Sequence, residues 1–351
     1  MRKTIQLELW GRKEGRSQRE RHFMRREKVL GQYPTPPAVA EWMVKWPEVL
    51  GIPKGAGLDP ACGDGVFLKA LAEAGFKRVV GFDIDLGALV RAKRSGDFKG
   101  ALLVCGDALR LGFKIRGKFD FVAGNPPFSA KYGRIRERAV LNEFEVSEGR
   151  SSEAVELLFL ELFVEATKEG GAFAIILPEG FFSSIPMERA RRWLLSKVRP
   201  VAVVSLSRRF FRAKTSVLIA QKTRATGKVM LAHAEEERDL DKILGAFTGR
   251  EDFSQAIWAL HSELAETMSP LHFLMQRKAG PSEISPFPLV PLKELLAEIR
   301  TGATEYGAKR RFSPRGLPFV SAKTVTPFGV DISRDGRFVR PGGAMDKPRA
   351  R

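Results

Sequence analysis

The sequence predicts an α/β protein built on a doubly wound, mostly parallel, seven-stranded sheet. Short β-rich runs alternate with helical patterns between residues 57 and 221, an order that gives a parallel sheet with helices on both faces. A glycine-containing turn follows the first predicted strand. The chain has 351 residues, of which 44% are hydrophobic. That is enough for a sizeable core and, at roughly 100–200 residues per domain, for two or three domains.

The predicted elements follow one another in a regular order. A helix is expected after the proline cluster of residues 34–37, and helical patterns then separate the β-rich runs. The predicted strands are Gly57–Asp59, Arg78–Asp83, Leu102–Cys105, Phe119–Ala123, Ala172–Leu177, Val201–Leu206 and Val217–Gln221. The predicted helices are Val39–Trp46, Val66–Ala74, Leu86–Lys93, Ala154–Lys168 and Met187–Lys197.

The pattern changes after residue 225, where the chain is charged, looks helical and loses the β/α alternation. Prolines at 281, 286, 288 and 291 open another segment, for which we predict one helix (Leu292–Ile299) followed by short strands interrupted by glycine and proline. We therefore predict four regions. They are a basic N-terminal segment (1–30), an α/β domain (31–225), a helical linker (226–285) and a C-terminal α+β domain (286–351).

The net charge of +18 favours a polyanionic partner, either nucleic acid or an anionic membrane surface. Residues 1–30 hold ten Lys/Arg against four Glu, and residues 301–351 hold eleven Lys/Arg against four acids. No apolar run reaches the roughly 18 residues of a membrane span, and the N-terminus lacks the apolar stretch of a signal peptide. The two cysteines make neither a disulfide framework nor a zinc site. We expect a cytoplasmic protein without a metal.

The turn after the first strand indicates a ligand site. Residues 58–68 read Leu-Asp-Pro-Ala-Cys-Gly-Asp-Gly-Val-Phe-Leu, so the strand ends at Asp59 and a Gly-x-Gly turn leads into a helix. Such a turn binds the ligand in doubly wound folds, and Gly63 and Gly65 let the backbone approach it closely. Leu68 stands where a dinucleotide fingerprint needs its third glycine, which disfavours nicotinamide and flavin cofactors.

Two further acids end the next two strands, Asp83 in Gly-Phe-Asp-Ile-Asp and Asp107 after Cys105-Gly106. A carboxylate at the end of the second strand is placed to accept hydrogen bonds from ribose hydroxyls. Each acid alone is more simply explained as a helix N-cap. The three strand-end acids and the glycine turn together indicate a nucleoside ligand without phosphates, such as S-adenosylmethionine.

The fourth strand is followed by Asn125-Pro126-Pro127-Phe128. Two prolines fix the backbone and remove two N–H donors, so the carbonyl of Pro126 is available to a ligand. Asn125 adds a side-chain carbonyl and Phe128 adds a flat apolar face. These groups suit a planar amine, which needs two acceptors for its hydrogens and a ring to stack on. A rigid turn after a strand is the alternative for such a segment in isolation.

With these motifs in order, the chain resembles the adenine-N6 DNA methyltransferases of restriction–modification systems. It is similar both to the methylation subunits of type I systems and to single-chain enzymes that combine the functions of such a system in one polypeptide. The motifs lie within residues 31–222 and are specific for methylation of an exocyclic or amide nitrogen. They are Gly31-Gln32-Tyr33-Pro34-Thr35-Pro36-Pro37, Asp59-Pro60-Ala61-Cys62-Gly63-Asp64-Gly65, Gly81-Phe82-Asp83-Ile84-Asp85, Gly106-Asp107, Asn125-Pro126-Pro127-Phe128 and Phe210-Phe211 with Thr215-Ser216-Val217.

The resemblance implies a class I, Rossmann-like fold, S-adenosylmethionine as cofactor, and a role for each matching residue. Thr35 contacts the methionine end of the cofactor, Asp83 its ribose hydroxyls and Asp107 its adenine amino group. The cofactor-lining set is Thr35, Asp59, Ala61, Gly63, Asp83 and Asp107. The catalytic set is Asn125, Pro126, Pro127 and Phe128, with Phe128 and Phe210 stacking on the target base and Phe211 as the substitute for Phe210.

The C-terminal region resembles the opening of a target-recognition domain of specificity subunits. It reads Leu-Val-Pro-Leu-Lys-Glu-Leu-Leu-Ala-Glu-Ile-Arg-Thr-Gly-Ala-Thr and then Gly-Leu-Pro-Phe-Val-Ser-Ala-Lys-Thr-Val within residues 289–330. The resemblance covers some 60 residues, so we expect residues 286–351 to be a partial domain. It implies double-stranded DNA as partner, with a specificity or restriction subunit that completes recognition.

Three other functions fit some of the motifs. A guanine-N2 methyltransferase acting on ribosomal RNA also uses Asn-Pro-Pro-Phe, but the C-terminal segment and the early Thr35 motif argue against it. Glutamine-N5 methyltransferases acting on proteins favour Tyr at position 128 and need no strong positive charge. A DNA-binding module with an inactive core is disfavoured because Asn125, Asp83 and Asp107 are intact. Cytosine-C5 methylation usually uses a cysteine after proline; neither Cys62 nor Cys105 follows one.

Overall fold

The structure is a computed structural model of the chain. It describes residues 34–95, 100–224 and 226–278, together with the C-terminal stretches 312–319, 325–326, 329–334 and 336–341. The chain divides into two compact units at residues 280 and 281. The basic segment 1–30, residues 31–33 of the first motif and the predicted helix 292–299 lie outside the described residues.

Within the described residues, the first unit is built on a nine-stranded sheet. Its strands are β1 (Ala56–Asp59), β2 (Arg78–Asp83), β3 (Leu102–Cys105), β4 (Phe119–Gly124), β7 (Thr167–Pro178), β8 (Arg199–Leu206), β9 (Thr215–Gln221), β10 (Lys228–Ala234) and β11 (Ala256–Leu260). Their order in the sheet is β11-β10-β8-β9-β7-β4-β1-β2-β3. Strands β3, β2, β1, β4 and β7 are mutually parallel, and β8 is parallel to β10. Strand β9 runs antiparallel between β7 and β8, and β11 is antiparallel to β10.

The helices of this unit fall between the strands. They are α1 (Pro37–Val49), α2 (Val66–Glu73), α3 (Leu86–Ser95), α4 (Ala108–Ile115), α5 (Ser129–Tyr132), α6 (Arg138–Leu141), α7 (Val155–Ala166), α8 (Glu179–Ser183), α9 (Glu188–Lys197), α10 (Glu237–Phe247) and α11 (Pro270–Lys278). A short antiparallel pair, β5 (Arg134–Ile135) with β6 (Glu153–Ala154), stands outside the main sheet. None of the helices in the described part of the chain is long and apolar enough to cross a membrane.

Two hydrophobic clusters cover the two faces of the sheet. Strand β4 is buried along its whole length and contributes side chains to both clusters, with Val122 in the first and Phe121 and Ala123 in the second. Helices α4, α7 and α9 contribute to the first cluster, and helices α1, α2 and α10 to the second. Because successive side chains of a strand point to opposite faces, a strand covered by helices on both faces is apolar throughout.

All seven strands predicted from the sequence are present, and the doubly wound, mostly parallel arrangement is confirmed. The number of strands is nine rather than seven. The helical linker predicted for residues 226–285 is wrong in part, since β10 and β11 within it extend the central sheet. The apolar run Val229–Ala232 is short, and the charges of α10 that follow it dominate the local pattern. Helix α4 was not among the predicted helices.

The second unit contains two small antiparallel sheets in its described stretches. Strand β12 (Leu317–Pro318) pairs with β15 (Phe338–Val339), and β13 (Val325–Thr326) pairs with β14 (Gly329–Val330). These elements agree with the short, interrupted strands that the sequence predicts for this region.

A buried arginine ties the chain after β11 to helix α9. Arg191 is fully buried, and its guanidinium donates hydrogen bonds to the carbonyls of Phe181 and Ser184 at 2.8 Å each. It also reaches the carbonyls of Ala265 at 3.4 Å and Glu266 at 2.5 Å. Burial lowers the pKa of Arg191, and the hydrogen-bond acceptors around its guanidinium are backbone carbonyls.

We expect Arg191→Met to lower the free energy of unfolding by at least about 1–3 kcal/mol, because it leaves buried carbonyl groups without their donor. Urea denaturation measures the change. Arg192→Met is the matched control, since Arg192 is exposed on the same helix and pairs with Glu188; such a surface change stays within roughly 0.5 kcal/mol. Equal effects of the two substitutions would contradict the bridging role of Arg191.

Candidate active site

The carboxyl ends of the parallel strands bring the predicted site residues to one edge of the sheet. Strand β1 ends at Asp59, β2 ends at Asp83, and β4 ends at Gly124, directly before Asn125. A cavity of about 390 Å³ opens at this edge. All six predicted cofactor residues line it, namely Thr35, Asp59, Ala61, Gly63, Asp83 and Asp107. Asn125 and Pro127 line the same cavity, so the structure brings the two predicted groups of residues together.

The glycine turn is closed by a hydrogen bond from the backbone N–H of Gly63 to the Oδ2 of Asp83, at 2.7 Å. The other oxygen of Asp83 accepts from the N–H of Asp85 at 2.8 Å. Gly63 and Gly65 have φ angles of 49° and 91°, in the left-handed region that favours glycine. Asp83 therefore shapes the loop that lines the cavity as well as facing the cavity itself.

Asp59 is buried at the base of the cavity. Its Oδ1 accepts a hydrogen bond from the N–H of Ala61 at 3.0 Å. A β-carbon added at Gly124 would lie 2.7 Å from the same oxygen, so only glycine allows β4 to pass this carboxylate. Burial raises the pKa of Asp59 well above its ordinary value, and the nearby Asp83 carboxylate adds to the rise. Burial also raises the pKa of Asp83.

Asp107 is both a helix cap and a cavity residue. Its Oδ1 accepts from the N–H of Leu109 at 3.0 Å, which makes it the N-cap of α4. Its Oδ2 lies 3.5 Å from the Nε of Arg110. The N-cap explanation of this strand-end acid therefore holds, and its position in the cavity wall leaves the ligand-binding prediction open to test.

A hydrogen bond joins Asn125 to the proline-rich segment that precedes α1. The Nδ2 of Asn125 donates to the Oγ1 of Thr35 at 3.0 Å. Pro34, Thr35 and Pro37 all line the cavity, and α1 begins at Pro37. The proline-rich motif that contains Thr35 and the motif that begins at Asn125 thus meet at one side-chain contact, although 90 positions separate these two residues.

The rest of Asn125-Pro126-Pro127-Phe128 is anchored by a residue that sequence reasoning missed. Pro126 and Phe128 are buried, and neither is among the cavity-lining residues. Next to Phe128, the N–H and hydroxyl of Ser129 donate to the carboxylate of Glu156 at 2.8 and 2.9 Å. Glu156 is buried on α7. Its signal in the sequence is an acid inside the strongly apolar run Val155–Ala166.

Phe210 is not brought to the cavity. Phe210 and Phe211 lie between β8 and β9, with exposed fractions of 8% and 5%, and neither lines the cavity. Both belong to the same hydrophobic cluster as Phe128. A base held between Phe128 and Phe210 would therefore require the protein to uncover these rings first.

An apolar wall of the cavity was also missed by sequence reasoning. Ile84 lines it and is 48% exposed, and Ile135, Val155 and Phe159 line it too. The signal for Ile84 is an isoleucine between two acids at a strand end.

Cys62 lies in the cavity wall but is buried, and burial raises the pKa of its thiol, which agrees with a packing role. The described residues contain no cluster of side chains suited to a metal ion.

Comparisons with known proteins match this architecture. Residues 98–266 match the family model described as N-6 DNA Methylase, and residues 58–125 match the model of a methyltransferase domain. The type II methyltransferase M.TthHB8I of Thermus thermophilus is 32% identical over 162 residues, which make up 42% of this chain and 35% of that protein. The chain spans about a third of the length of the curated relatives that it matches.

Solved structures share the fold. A protein described as the modification subunit of a type I restriction enzyme from Vibrio vulnificus has a TM-score of 0.56 at 19% identity, over 70% of this chain and 60% of that one. A class I S-adenosylmethionine-dependent methyltransferase of Listeria monocytogenes has a TM-score of 0.55 at 21% identity, over 63% and 72% of the two chains. The fold is that of class I methyltransferases, and the resemblance to N6-adenine methyltransferases of restriction–modification systems is confirmed.

Stability should depend on pH through Asp59. Its pKa is raised in the folded state above the unfolded value of about 3.9. The folded state therefore binds this proton more tightly, and ionisation destabilises the fold as pH rises through the folded pKa. We expect Asp59→Asn, which keeps an acceptor for Ala61, to gain stability relative to the wild type as pH rises.

Urea denaturation at about pH 5, 6.5 and 8 measures this difference. Asp64→Asn removes the same charge from an exposed carboxylate in the same loop, and it controls for the change in net charge. An advantage of Asp59→Asn that stays constant across the three pH values would contradict the assignment of the raised pKa to Asp59.

Proposed function

We propose that this chain transfers a methyl group from S-adenosylmethionine to the N6 amine of a flipped-out adenine in double-stranded DNA, as the modification enzyme of a restriction–modification system. The observation that carries the proposal is the position of Asn125. It lines the same cavity as the strand-end acids Asp59, Asp83 and Asp107. The amine-holding group and the cofactor-type residues therefore open into one space.

The residues of the cavity fit S-adenosylmethionine. A volume of about 390 Å³ lies within the roughly 300–1,000 Å³ of small-molecule sites. The carboxylates of Asp83 and Asp107 are acceptors suited to ribose hydroxyls and an adenine amine, and the exposed Ile84 offers an apolar surface to a ring. A β-carbon added at Gly106 would meet only Leu111, at 3.9 Å, so the backbone there leaves room for a ligand. When bound, this cofactor supplies an activated methyl group.

The chemistry left to the protein is the activation of a weak nucleophile. The lone pair of an adenine N6 amine is delocalised into the ring. Acceptors that hold its two hydrogens favour a tetrahedral nitrogen and stabilise the positive charge that develops on it. The proposed acceptors are the side-chain carbonyl of Asn125, which lines the cavity, and the backbone carbonyl of the next residue, Pro126, which is buried. Positioning supplies most of the remaining rate acceleration.

DNA as the substrate is supported by the net charge of +18, by the matching family model described as N-6 DNA Methylase and by a relative described as a modification methylase. A paired base is out of reach of such a cavity, so the target adenine must leave the duplex at a cost of a few kcal/mol. Stacking on an aromatic side chain is worth about 1–3 kcal/mol per base. Phe128 and Phe210 are the proposed stacking residues, with Phe211 as the substitute. The solved modification subunit is part of a restriction enzyme; by analogy, we propose that a specificity or restriction subunit completes target recognition.

One experiment tests the class of substrate. The purified chain is given cofactor carrying a labelled methyl group, together with unmethylated duplex DNA, ribosomal RNA or a translation release factor. Each product is then digested to single nucleosides or amino acids. We expect the label in N6-methyladenine from DNA. Label in guanine of the RNA or in glutamine of the release factor would overturn the proposal in favour of one of the other two nitrogen methyltransferases.

Asn125→Ala should lower kcat for DNA methylation by about a hundredfold or more, since losing one such acceptor commonly costs about 2.7–4 kcal/mol. Cofactor affinity, measured by calorimetry, should change little. Asn142→Ala is the matched control at an exposed asparagine outside the cavity. Retention of more than about a tenth of the wild-type turnover would argue against the amine-holding role of Asn125.

Phe210→Ala should slow methylation of duplex DNA more than methylation of an adenine opposite a mismatch, because extrusion of a mismatched base costs less. Single-turnover rates on the two substrates give the comparison. Phe211→Ala, at the neighbouring buried ring, serves as the matched variant and identifies which of the two rings acts. If neither variant distinguishes paired from mismatched adenine, both rings serve only the hydrophobic core.

A further inference from the structure

Thr35 and Asn125 come from distant parts of the chain and meet inside the cavity wall. The hydrogen bond from Asn125 Nδ2 to Thr35 Oγ1 is 3.0 Å long, and both residues line the cavity. The methyltransferase resemblance assigns Thr35 to the cofactor alone. The contact shows a second relationship, in which the hydroxyl of Thr35 touches the residue proposed to hold the target amine.

We propose that Thr35 is a positioning residue that fixes the orientation of the Asn125 amide during methyl transfer. This inference rests on the proposed function, because it concerns the same reaction at the same site. It assigns Thr35 a role in the chemical step in addition to any contact with the cofactor.

The physical reason lies in the two unlike ends of an asparagine amide. Its carbonyl oxygen accepts hydrogen bonds and its NH₂ group donates them. A target amine needs acceptors, so the amide activates it in one orientation and presents donors to it in the other. The hydroxyl oxygen of Thr35 accepts from Nδ2. Because the two ends of the amide are rigidly connected, holding Nδ2 also fixes which way the carbonyl oxygen faces.

Thr35 is well placed to act as a fixed support. It is followed by Pro36, whose carbonyl accepts from the N–H groups of Val39 and Ala40 at 3.0 and 3.3 Å. Helix α1 then begins at Pro37. It is anchored by the fully buried rings of Trp42 and Trp46. The hydroxyl therefore belongs to a segment that the core of the domain holds in place.

The backbone of Asn125 is constrained as well. Asn125 follows Gly124, which has no space for a side chain beside Asp59. It precedes Pro126, whose ring fixes the backbone. The remaining freedom of Asn125 is in its side-chain torsions, including the one that exchanges the amide ends. The hydrogen bond to Thr35, which belongs to a rigid segment, directly restricts that side-chain torsion.

The hydroxyl of Thr35 has one proton to donate and oxygen lone pairs that accept. Accepting from Asn125 leaves its own O–H able to donate to a ligand in the cavity. Cofactor contact and amide positioning are therefore compatible, and kinetics separate them. A contact with the cofactor alone changes the affinity for the cofactor, whereas a misplaced amide lowers kcat, since small errors of position cost large factors in rate.

The test compares Thr35→Val, which has nearly the same shape but no hydroxyl, with Thr35→Ser, which keeps the hydroxyl. We expect Thr35→Val to lower kcat for DNA methylation about 10- to 100-fold at saturating cofactor, in addition to any loss of cofactor affinity that calorimetry measures. Thr35→Ser should restore most of the wild-type kcat. A lower cofactor affinity with unchanged kcat in Thr35→Val would overturn the inference, as would a Thr35→Ser variant that is as impaired as Thr35→Val.

A second readout needs neither cofactor nor activity. Urea denaturation midpoints are measured for Thr35→Val, Asn125→Ala and the double variant of the free protein. We expect the double variant to lose less than the sum of the two single losses, because both changes remove the same hydrogen bond. Strictly additive losses would overturn the inference. If the wild type does not methylate adenine N6, the proposed function fails and the role in methylation fails with it; the denaturation cycle still reports on the bond itself.

Discussion

The hydrogen bond between the Gly63 N–H and the Asp83 carboxylate is the constraint on which the rest of the site depends. It holds the turn after β1 against the end of β2, at 2.7 Å. The turn adopts its shape only because Gly63 and Gly65 accept positive φ angles. That shape in turn starts helix α2 and sets one side of the cavity. Burial raises the pKa of Asp83, so the fold keeps this carboxylate at some expense of stability. A carboxylate retained under such conditions is typical of a binding site rather than of a core.

The turn after β4 is held in the same way, because side chains from two remote segments hydrogen-bond at both ends of Asn125-Pro126-Pro127-Phe128. Asn125 is bonded to Thr35 at its start, and Ser129 is bonded to the buried Glu156 just after Phe128. Fixing both ends of a short, proline-containing segment removes most of its conformational freedom before any substrate arrives. Preorganised polar groups stabilise developing charge without a cost of reorganisation at the moment of reaction. The structure of the turn therefore suits a reaction whose main requirement is the positioning of an amine.

The sequence predicts those features that local patterns determine. The alternation of β-rich and helical runs predicts seven of the nine described strands of the sheet, and parallel strands necessarily bring Asp59, Asp83, Asp107 and Asn125 to one edge. Features that depend on tertiary contacts were missed. Strands β10 and β11 lie on either side of a charged helix, so the local pattern favours helix. Neither the bond from Asn125 to Thr35 nor that from Ser129 to Glu156 has a local signal, because each depends on segments that only the fold brings together.

The burial of the aromatic side chains connects the fold to the proposed reaction. Phe128 and Phe210 share one hydrophobic cluster, with exposed fractions of 4% and 8%. Stacking a base on these rings yields about 1–3 kcal/mol per base, which is similar in size to the few kcal/mol needed to extrude it. Uncovering the rings adds a further cost, so stacking alone does not offset the extrusion of a fully paired adenine. Under the proposed function, the remaining driving force must come from contacts with the duplex on either side. A net charge of +18 supplies such contacts through the phosphates. They increase affinity for any DNA but contribute little to the choice of sequence. The enzyme would then separate two tasks: charge would hold the duplex, and the rigid turn at Asn125 would select the amine that reacts.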